Sequence, residues 1–290
     1  MKKYTTIFVI LFFANLTCIK GQVNLHGTDQ ILKNLFDRLA IAADDSARIR
    51  LNDSIDIILS GYVRSDSVFT HRFRNIRYLG QIQPTDSRVK IITWNLVLRN
   101  SRSRYYCYFI NKSGKSKNIV YKLTSDYKEA PINSDIIYSG SDWYGALYYD
   151  IRPVREGNKL YWIVLGVDYG NPSITRKIID VVEFGSDGNL TFGRKIFSKD
   201  NGLSYRVVLE YSSEAVVSLK FISDKIIAFD HLVPVSAGSS NNREMYAPEF
   251  SYDGYSLDKG LWKYKENIDL RLPPHHPGGL KSPSPVLQND

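Results

Sequence analysis

Asp230 and His231 are adjacent residues at the end of an apolar segment, just before Pro234. An aspartate beside a histidine is a pattern that acid–base catalysis uses. Neighbouring residues of a β-strand point to opposite faces of the sheet, however, so these two side chains are not expected to hydrogen-bond each other. The sequence therefore predicts a structural role for this pair.

Cys107 is a second residue that could do chemistry, as a nucleophile. A reactive thiolate needs a base or another activating group beside it, and the sequence around Cys107 indicates none. The residue lies in the aromatic run 105–109, where a small buried apolar side chain accounts for it. We therefore predict that Cys107 is part of the core.

The histidines and sequence motifs do not indicate a metal or a cofactor. Metal sites usually combine ligands at short spacings, with Cys, Asp or Glu nearby. The five histidines are either isolated or set between prolines and glycines: His26, His71, His231, His275 and His276. The sequence also contains no Gly-x-Ser-x-Gly elbow, phosphate-binding loop or dinucleotide fingerprint. We predict neither a metal nor a cofactor.

Carboxylates on the predicted strands allow one enzymatic alternative. Two of them could pair across a sheet as the acid and base of a glycosidase. The candidates are Asp142, Asp150, Asp168, Glu210 and Glu214. Such strand carboxylates are usually solvated or ion-paired, so a carboxylate-based hydrolase acting on glycans is the alternative function, and no catalytic residue is assigned.

The segment 142–152 combines aromatic rings with acids and an arginine. Flat rings bury apolar area against a sugar or a peptide, and polar groups beside them fix its orientation. The candidate ligand-binding residues are Asp142, Trp143, Tyr144, Tyr148, Asp150 and Arg152. Core packing of Trp143 and the tyrosines is the favoured interpretation, and a second aromatic and acidic cluster, 246–255, has the same two interpretations.

Two amphipathic helices are predicted before the β-rich part of the chain. Apolar residues recur at helical spacing over 28–43 and again over about 45–61, with Asp45 or Ser46 as the cap of the second helix. Together they form a predicted helical hairpin over residues 22–75.

From residue 76 the pattern changes to β-branched and aromatic runs separated by turn residues. This pattern predicts an antiparallel β domain over 76–235. The fold class is α+β and mainly β: an N-terminal helical hairpin followed by an antiparallel β meander, arranged as a sandwich, an open barrel or a partial propeller. We expect strands near 76–83, 89–98, 104–110, 118–124, 143–151, 159–168, 174–184, 190–197, 204–211, 215–222 and 225–232.

Regular patterning ends after residue 235. Residues 236–272 are predicted to be an irregular, aromatic-rich segment packed on the β domain. Residues 273–290 are rich in proline and glycine and have little apolar content, so they are predicted to be a flexible tail.

Residues 1–21 have the three parts of a secretory signal: Lys2 and Lys3, an apolar stretch over 7–14, and a polar end before Gly21. The apolar stretch is shorter than the roughly 20 residues of a membrane-spanning helix. We predict cleavage after Gly21 and no transmembrane segment in the mature chain. Lipidation of Cys18 is the alternative, which the preceding residues Asn15-Leu16-Thr17 disfavour.

The formal charge of +8 falls to about +5 when the predicted signal is removed. The excess is spread over the sequence, which argues against a nucleic acid as partner. A weak affinity for anionic lipid or glycan surfaces is compatible with it. Cys107 is the only cysteine beyond the predicted signal, so the core must stabilise the mature domain without an internal disulfide.

Several segments together resemble a family of uncharacterised exported proteins of Bacteroidota. They are Gly21-Gln22, 93–96, 142–150, 168–172 and 230–234. The resemblance implies export and no particular activity. Because the sequence contains no recognisable reactive constellation, we predict a non-enzymatic binding or scaffold protein of the periplasm or cell surface, whose partner is an envelope protein or a glycan.

Overall fold

The computed structural model describes residues 25–99, 102–112, 118–185, 188–200, 202–236 and 238–270. The predicted signal segment, with Cys18, and the predicted tail 273–290 lie outside the described residues. No helix in the described part of the chain has the length and apolar content needed to cross a membrane.

The two predicted helices are confirmed as α1 (Leu25–Ile41) and α2 (Asp45–Tyr62). The cap of α2 differs from the prediction. Asp44 keeps an extended backbone, and its carboxylate accepts a hydrogen bond from the backbone N–H of Ala47 at 2.7 Å. The cap therefore lies one residue before Asp45, at a position that satisfies a free N–H of the first turn.

Sixteen strands follow among the described residues. In chain order they are β1 (Gly80–Ile82), β2 (Val89–Val97), β3 (Ser103–Asn111), β4 (Ile119–Asp126), β5 (Tyr138–Ser139), β6 (Leu147–Glu156), β7 (Lys159–Asp168), β8 (Ile174–Phe184), β9 (Leu190–Phe192), β10 (Phe197–Lys199), β11 (Gly202–Ser204), β12 (Val207–Ser212), β13 (Leu219–Ser223), β14 (Ile226–Pro234), β15 (Tyr246–Asp258) and β16 (Leu261–Lys265).

The strands form three sheets. The helix-side sheet is a meander in the order β1-β2-β3-β4. The central sheet has the order β5-β9-β8-β7-β6, and β12 also pairs with β8. The outer sheet has the order β11-β10-β16-β15-β14-β13, in which β10 and β16 are parallel. The predicted α+β class with mostly antiparallel strands is confirmed, and the strands of the described residues form no closed barrel.

Three apolar cores separate four layers. The helices cover one face of the helix-side sheet through residues such as Leu59 and Trp94. The other face packs on the central sheet around Phe109 and Phe192. The second face of the central sheet packs on the outer sheet around Trp262. Strands β7 and β8 are covered on both faces, which explains their nearly continuous apolar sequences.

Glycines explain where predicted strands divide or begin late. The predicted strand 190–197 is two strands, because Gly193 has a φ of +104° and the chain there leaves the central sheet for the outer sheet. The predicted strand 143–151 begins only at Leu147, after Gly145 with a φ of +87°. Positive φ at these positions interrupts the extended backbone.

The prediction that 236–272 is irregular is wrong for its larger part. Tyr246–Asp258 and Leu261–Lys265 form the hairpin β15–β16, joined by Lys259 and Gly260, which both have positive φ. At Gly254 an added Cβ would lie 2.0 Å from the carbonyl oxygen of Ile227 on β14. Glycine and acidic residues are typical of loops in a sequence. In this segment Gly254 instead allows β15 to pair closely with β14.

Candidate functional site

The three aromatic residues predicted to bind a ligand are buried. Trp143, Tyr144 and Tyr148 are exposed by 1%, 7% and 1%. The indole N–H of Trp143 donates to the hydroxyl of Tyr148 at 2.9 Å, and all three rings pack around Phe192. They offer no open face to a ligand. The ligand-platform hypothesis is therefore wrong for these three rings, and the favoured interpretation, core packing, is confirmed.

A buried ion pair completes this network. Asp180 and Arg206 are both fully buried, and Arg206 Nε donates to an Asp180 oxygen at 2.9 Å. Tyr144 donates to the same oxygen at 2.8 Å. Burial and the charge of Asp180 raise the pKa of Tyr144, so its hydroxyl stays a donor. Three further guanidinium N–H groups of Arg206 donate to the carbonyls of Asn133, Ile136 and Phe192, which fixes 133–136 against the central sheet.

The polar members of the predicted site lie at or near the surface, where Asp150 and Arg152 pair with each other and Asp142 has a separate local partner. Asp142 ends a short 3-10 turn and accepts a hydrogen bond from Ser139. Arg152 binds Asp150 at 2.9 Å and lies 3.9 Å from Asp224. Local hydrogen bonds and ion pairs therefore engage these residues, and they do not join the buried rings in one site.

Two of the carboxylates considered for a glycosidase couple bind a single arginine instead. Arg176 is 3.2 Å from Asp168 and 2.9 Å from Glu210, and it is almost fully buried. Asp168 also accepts a hydrogen bond from the hydroxyl of Tyr105 at 2.6 Å. The guanidinium of Arg176 pairs with both carboxylates at once and balances one of their two negative charges, so Asp168 and Glu210 belong to a structural ion-pair cluster.

Cys107 is 1% exposed and lies between the helix-side and central sheets. Burial raises the pKa of its thiol. The side chain is therefore a neutral core group, as predicted.

His231 pairs with a carboxylate that the sequence did not indicate. The carboxylate of Asp230 accepts from the backbone N–H of Ser218, so the prediction that Asp230 and His231 do not bond each other is confirmed. His231 Nδ1 lies 2.6 Å from Asp253, which is 4% exposed. Tyr264 donates its hydroxyl hydrogen to the same oxygen of Asp253.

A β-bulge produces this pairing. On β14, Asp230 pairs with Tyr252 of β15, whereas Leu232 pairs with Pro248. The shift leaves His231 without a regular partner, and its side chain reaches Asp253. The histidine side chain is 35% exposed. A buried carboxylate thus orients a partly open imidazole, an arrangement that can move a proton.

A basic segment, residues 71–79, lies beside β1. Phe73, Ile76 and Leu79 are buried at intervals of three residues. The side-chain amide of Gln81 bonds both the N–H and the C=O of Phe73, at 3.1 and 3.0 Å, and so fixes the backbone. The residues before and between these anchors are exposed: Arg72, Arg74, Asn75, Arg77 and Tyr78.

Three arginines of this segment line one concave surface, which we name the basic hollow. Arg72, Arg74 and Arg77, with Asn75 and Gln81, border a hollow of about 440 Å³ that no acidic residue lines. Within the described residues none of the three guanidinium groups has a carboxylate partner. Their hydrogen-bond donors are therefore available to an external acceptor.

A buried lysine stands behind the basic hollow. Lys90 of β2 is 2% exposed, and its ammonium donates to the hydroxyl of Tyr62 and to the carbonyls of Val68 and His71, at 2.9, 2.6 and 2.6 Å. Burial, and secondarily the charge of Arg72, lower the pKa of Lys90 to about 8. The hollow therefore has a fourth positive charge near its wall.

The basic hollow was not predicted, because charge summed over the whole chain conceals a local cluster. The local signal is the run Phe73-Arg74-Asn75-Ile76-Arg77, in which basic residues alternate with apolar residues at a spacing of three. This short run does not continue a helical or a strand pattern. The boundary between the predicted hairpin, 22–75, and the first predicted strand, 76–83, therefore falls inside it.

Comparisons with known proteins give no relative. No protein-family model matches the chain, and no curated protein or solved structure is significantly similar to it. The resemblance to exported proteins of Bacteroidota therefore stays a prediction.

Proposed function

We propose that this chain is an exported, non-enzymatic binding protein whose basic hollow recognises an acidic glycan of the cell envelope. The observation that carries the proposal is the hollow itself, where Arg72, Arg74 and Arg77 are exposed without a carboxylate partner. Guanidinium groups bind oxyanions through paired, charge-assisted hydrogen bonds, so this surface is suited to an anionic ligand.

Two features favour a glycan over other anions. Tyr78 is 47% exposed, and the guanidinium of Arg77 lies 5.7 Å from the centre of its ring. An open aromatic ring beside a cation can contact a sugar ring and its acidic substituent together. The hollow is also large enough for a sugar ring, and the predicted signal segment would bring the protein to the compartment where envelope glycans lie.

Equilibrium binding to a panel of uronic-acid, sulfated, phosphorylated and neutral oligosaccharides tests the proposal. The wild-type protein should bind acidic members, more weakly at high salt, and should not bind the neutral ones. The double variant Arg74→Gln, Arg77→Gln should lose about ten-fold or more in affinity, because each charge-assisted hydrogen bond contributes about 1.5–3 kcal/mol.

The matched control is the double variant Arg50→Gln, Arg155→Gln. Both arginines are exposed, lie outside the basic hollow, and have no carboxylate partner among the described residues. The net charge changes by the same amount in both double variants. An equal loss of affinity in the control would mean that net charge, and not the hollow, attracts the ligand.

Export has a separate test. Mass analysis of the protein isolated from its native cells should give a mature N-terminus at Gln22. A lipid-modified Cys18 would instead establish membrane anchoring, and an intact Met1 would contradict export.

A second candidate function is hydrolysis, which the orientation of His231 by Asp253 favours. An imidazole held in this way can remove a proton from water during attack on an ester. In a screen of chromogenic esters and glycosides, the variant His231→Gln should abolish any ester hydrolysis that the wild-type protein has. If the protein is instead a glycan hydrolase that uses paired carboxylates, the variant His231→Gln should retain glycoside hydrolysis.

A further inference from the structure

Lys90 is a buried cation whose hydrogen-bond partners are all uncharged. Its ammonium has three acceptors: one phenol oxygen, from Tyr62, and the carbonyls of Val68 and His71. No described carboxylate lies within ion-pair distance of it. Moving an ammonium group out of water is costly when no counter-ion accompanies it. In the free protein the ammonium of Lys90 therefore has hydrogen-bond acceptors, and the Tyr62 ring 5.3 Å away, but no ion-paired carboxylate among the described residues.

This charge is coupled to the wall of the basic hollow. Arg72 lines the hollow, and its positive charge disfavours the protonated form of Lys90. The carbonyl that binds Lys90 belongs to His71, the residue next to Arg72. An anion in the hollow would offset the repulsion between the two cations, and the burial of Lys90 reduces the screening of its charge by water.

We propose that Lys90 is a positioning charge for the basic hollow. A sulfate or phosphate ester held there by the arginines is attracted by the Lys90 ammonium as well, and its binding weakens when Lys90 loses its proton. This inference rests on the proposed function of the hollow. The ester class follows from the number of donors, since a tetrahedral oxyanion presents three oxygens to three guanidinium groups whereas a carboxylate presents two.

The charged and titratable groups around Lys90 and its partner His71 come from three parts of the chain. Tyr62 belongs to α2, Arg72 belongs to the basic segment, and Asp29 of α1 lies 3.2 Å from the imidazole of His71. Burial and the charge of Asp29 raise the pKa of Tyr62, so the phenol keeps its proton in the alkaline range. The ammonium of Lys90 has a pKa lowered to about 8, so Lys90 is the group that we expect to titrate between pH 6.5 and 9.5.

The sign of the pH effect follows from this arrangement. A bound anion stabilises the ammonium, so it raises the pKa of Lys90 above the value of about 8 in the free protein. At pH 6.5 the lysine is charged in both states and the affinity is at its maximum. Above pH 8 binding must take up a proton, and the affinity falls by about five-fold by pH 9.5, as expected for two charges separated by a partly buried distance.

Isothermal titration calorimetry with N-acetylglucosamine 6-sulfate as the probe measures this effect, because a sulfate ester does not titrate between pH 6.5 and 9.5. Two buffers of different ionisation enthalpy at pH 8.5 measure the proton uptake. We expect uptake and a falling affinity. A constant affinity with no proton uptake would overturn the inference, and absence of binding at every pH would contradict the proposed function itself.

Variants and ligand analogues separate the titration of Lys90 from that of neighbouring groups. Lys90→Met should remove the pH dependence, whereas Lys177→Met should keep it, although burial lowers the pKa of Lys177 too. His71→Gln should also keep it. If Lys90→Met does not fold, the proton uptake measured with the wild-type protein at pH 8.5 tests the inference without that variant. The 6-phosphate analogue should bind at least as tightly as glucuronic acid, and glucuronic acid binding more tightly than both esters would contradict the ligand class.

Discussion

Arg206 of the central sheet and Arg74 of the basic hollow carry the same guanidinium in opposite surroundings. Arg206 is fully buried and binds Asp180 as well as three backbone carbonyls. Arg74 is exposed, lines the basic hollow, and has no carboxylate partner in the described part of the chain. The guanidinium of Arg206 makes four hydrogen bonds inside the fold, whereas the guanidinium of Arg74 is exposed at the surface.

Arg176 repeats the buried arrangement in a second place. It binds Asp168, Glu210 and the carbonyls of Lys128 and Glu129. Both buried arginines thus hold a loop against the central sheet, because a buried charge must be paired and hydrogen-bonded. A buried arginine with carboxylate and carbonyl partners therefore has a structural role in this fold, whereas an exposed arginine without a carboxylate partner is available to bind a ligand.

The largest expected effect is the loss of a buried arginine. Arg206→Met should lower the free energy of unfolding by about 3–5 kcal/mol, because it leaves the Asp180 carboxylate buried without a counter-ion. Urea denaturation followed by circular dichroism measures this loss. A loss below about 1 kcal/mol would mean that Arg206 does not hold the central sheet and the loop together.

A double variant tests the reason for that effect. Asp180→Leu combined with Arg206→Met removes both charges, so no buried charge remains unpaired. The same denaturation experiment should give a loss about 1–3 kcal/mol smaller than that of Arg206→Met alone. A double variant less stable than the single variant would assign the effect to the hydrogen bonds of Arg206 with the carbonyls.

Lys90 lies between the two extremes, since it is buried but has no carboxylate partner. Its pKa of about 8 in the folded protein is below its ordinary value, so the unfolded chain binds more protons above pH 8. The stability of the wild-type protein relative to Lys90→Met should therefore rise by about 1–2 kcal/mol from pH 7 to pH 9.5. Denaturation of both proteins at each pH measures this difference, and a constant difference would contradict the lowered pKa.

The smallest expected effect belongs to the exposed arginines. Arg74→Gln combined with Arg77→Gln should change the free energy of unfolding by less than about 0.5 kcal/mol, because neither guanidinium has a carboxylate partner to lose and Arg77 contacts only the exposed ring of Tyr78 among the described residues. Denaturation without ligand measures it. A loss of about 2 kcal/mol or more would show that the basic segment is stabilised by these arginines, and the comparison would fail.

The regular part of this fold could be predicted from the sequence. Helical spacing identified α1 and α2, and the limits of β7 and β8 match their apolar runs because both strands are covered on two faces. The hairpin β15–β16 could not be predicted in this way. Strand β15 contains Gly254, which its close pairing with β14 requires. Glycine has a low strand propensity, so in the sequence this residue indicates a loop.

The candidate sites depend on contacts between residues that are distant in sequence. Asp253 lies 22 residues after His231, and only the bulge in β14 and β15 brings the two side chains together. Trp143 and Tyr144 have the composition of a binding platform, but their positions between two sheets make them core residues. The basic hollow is the exception, since its arginines are close in sequence and a local count of charge would have found them.

The most direct test of the central claim is thermal unfolding with and without N-acetylglucosamine 6-sulfate. A ligand that binds only the folded state raises the Tm. We predict that the probe raises the Tm of the wild-type protein and of the control variant Arg50→Gln, Arg155→Gln, and leaves that of Arg74→Gln, Arg77→Gln unchanged. Equal shifts in all three proteins, or a shift in none, would contradict the assignment of the basic hollow as the binding site.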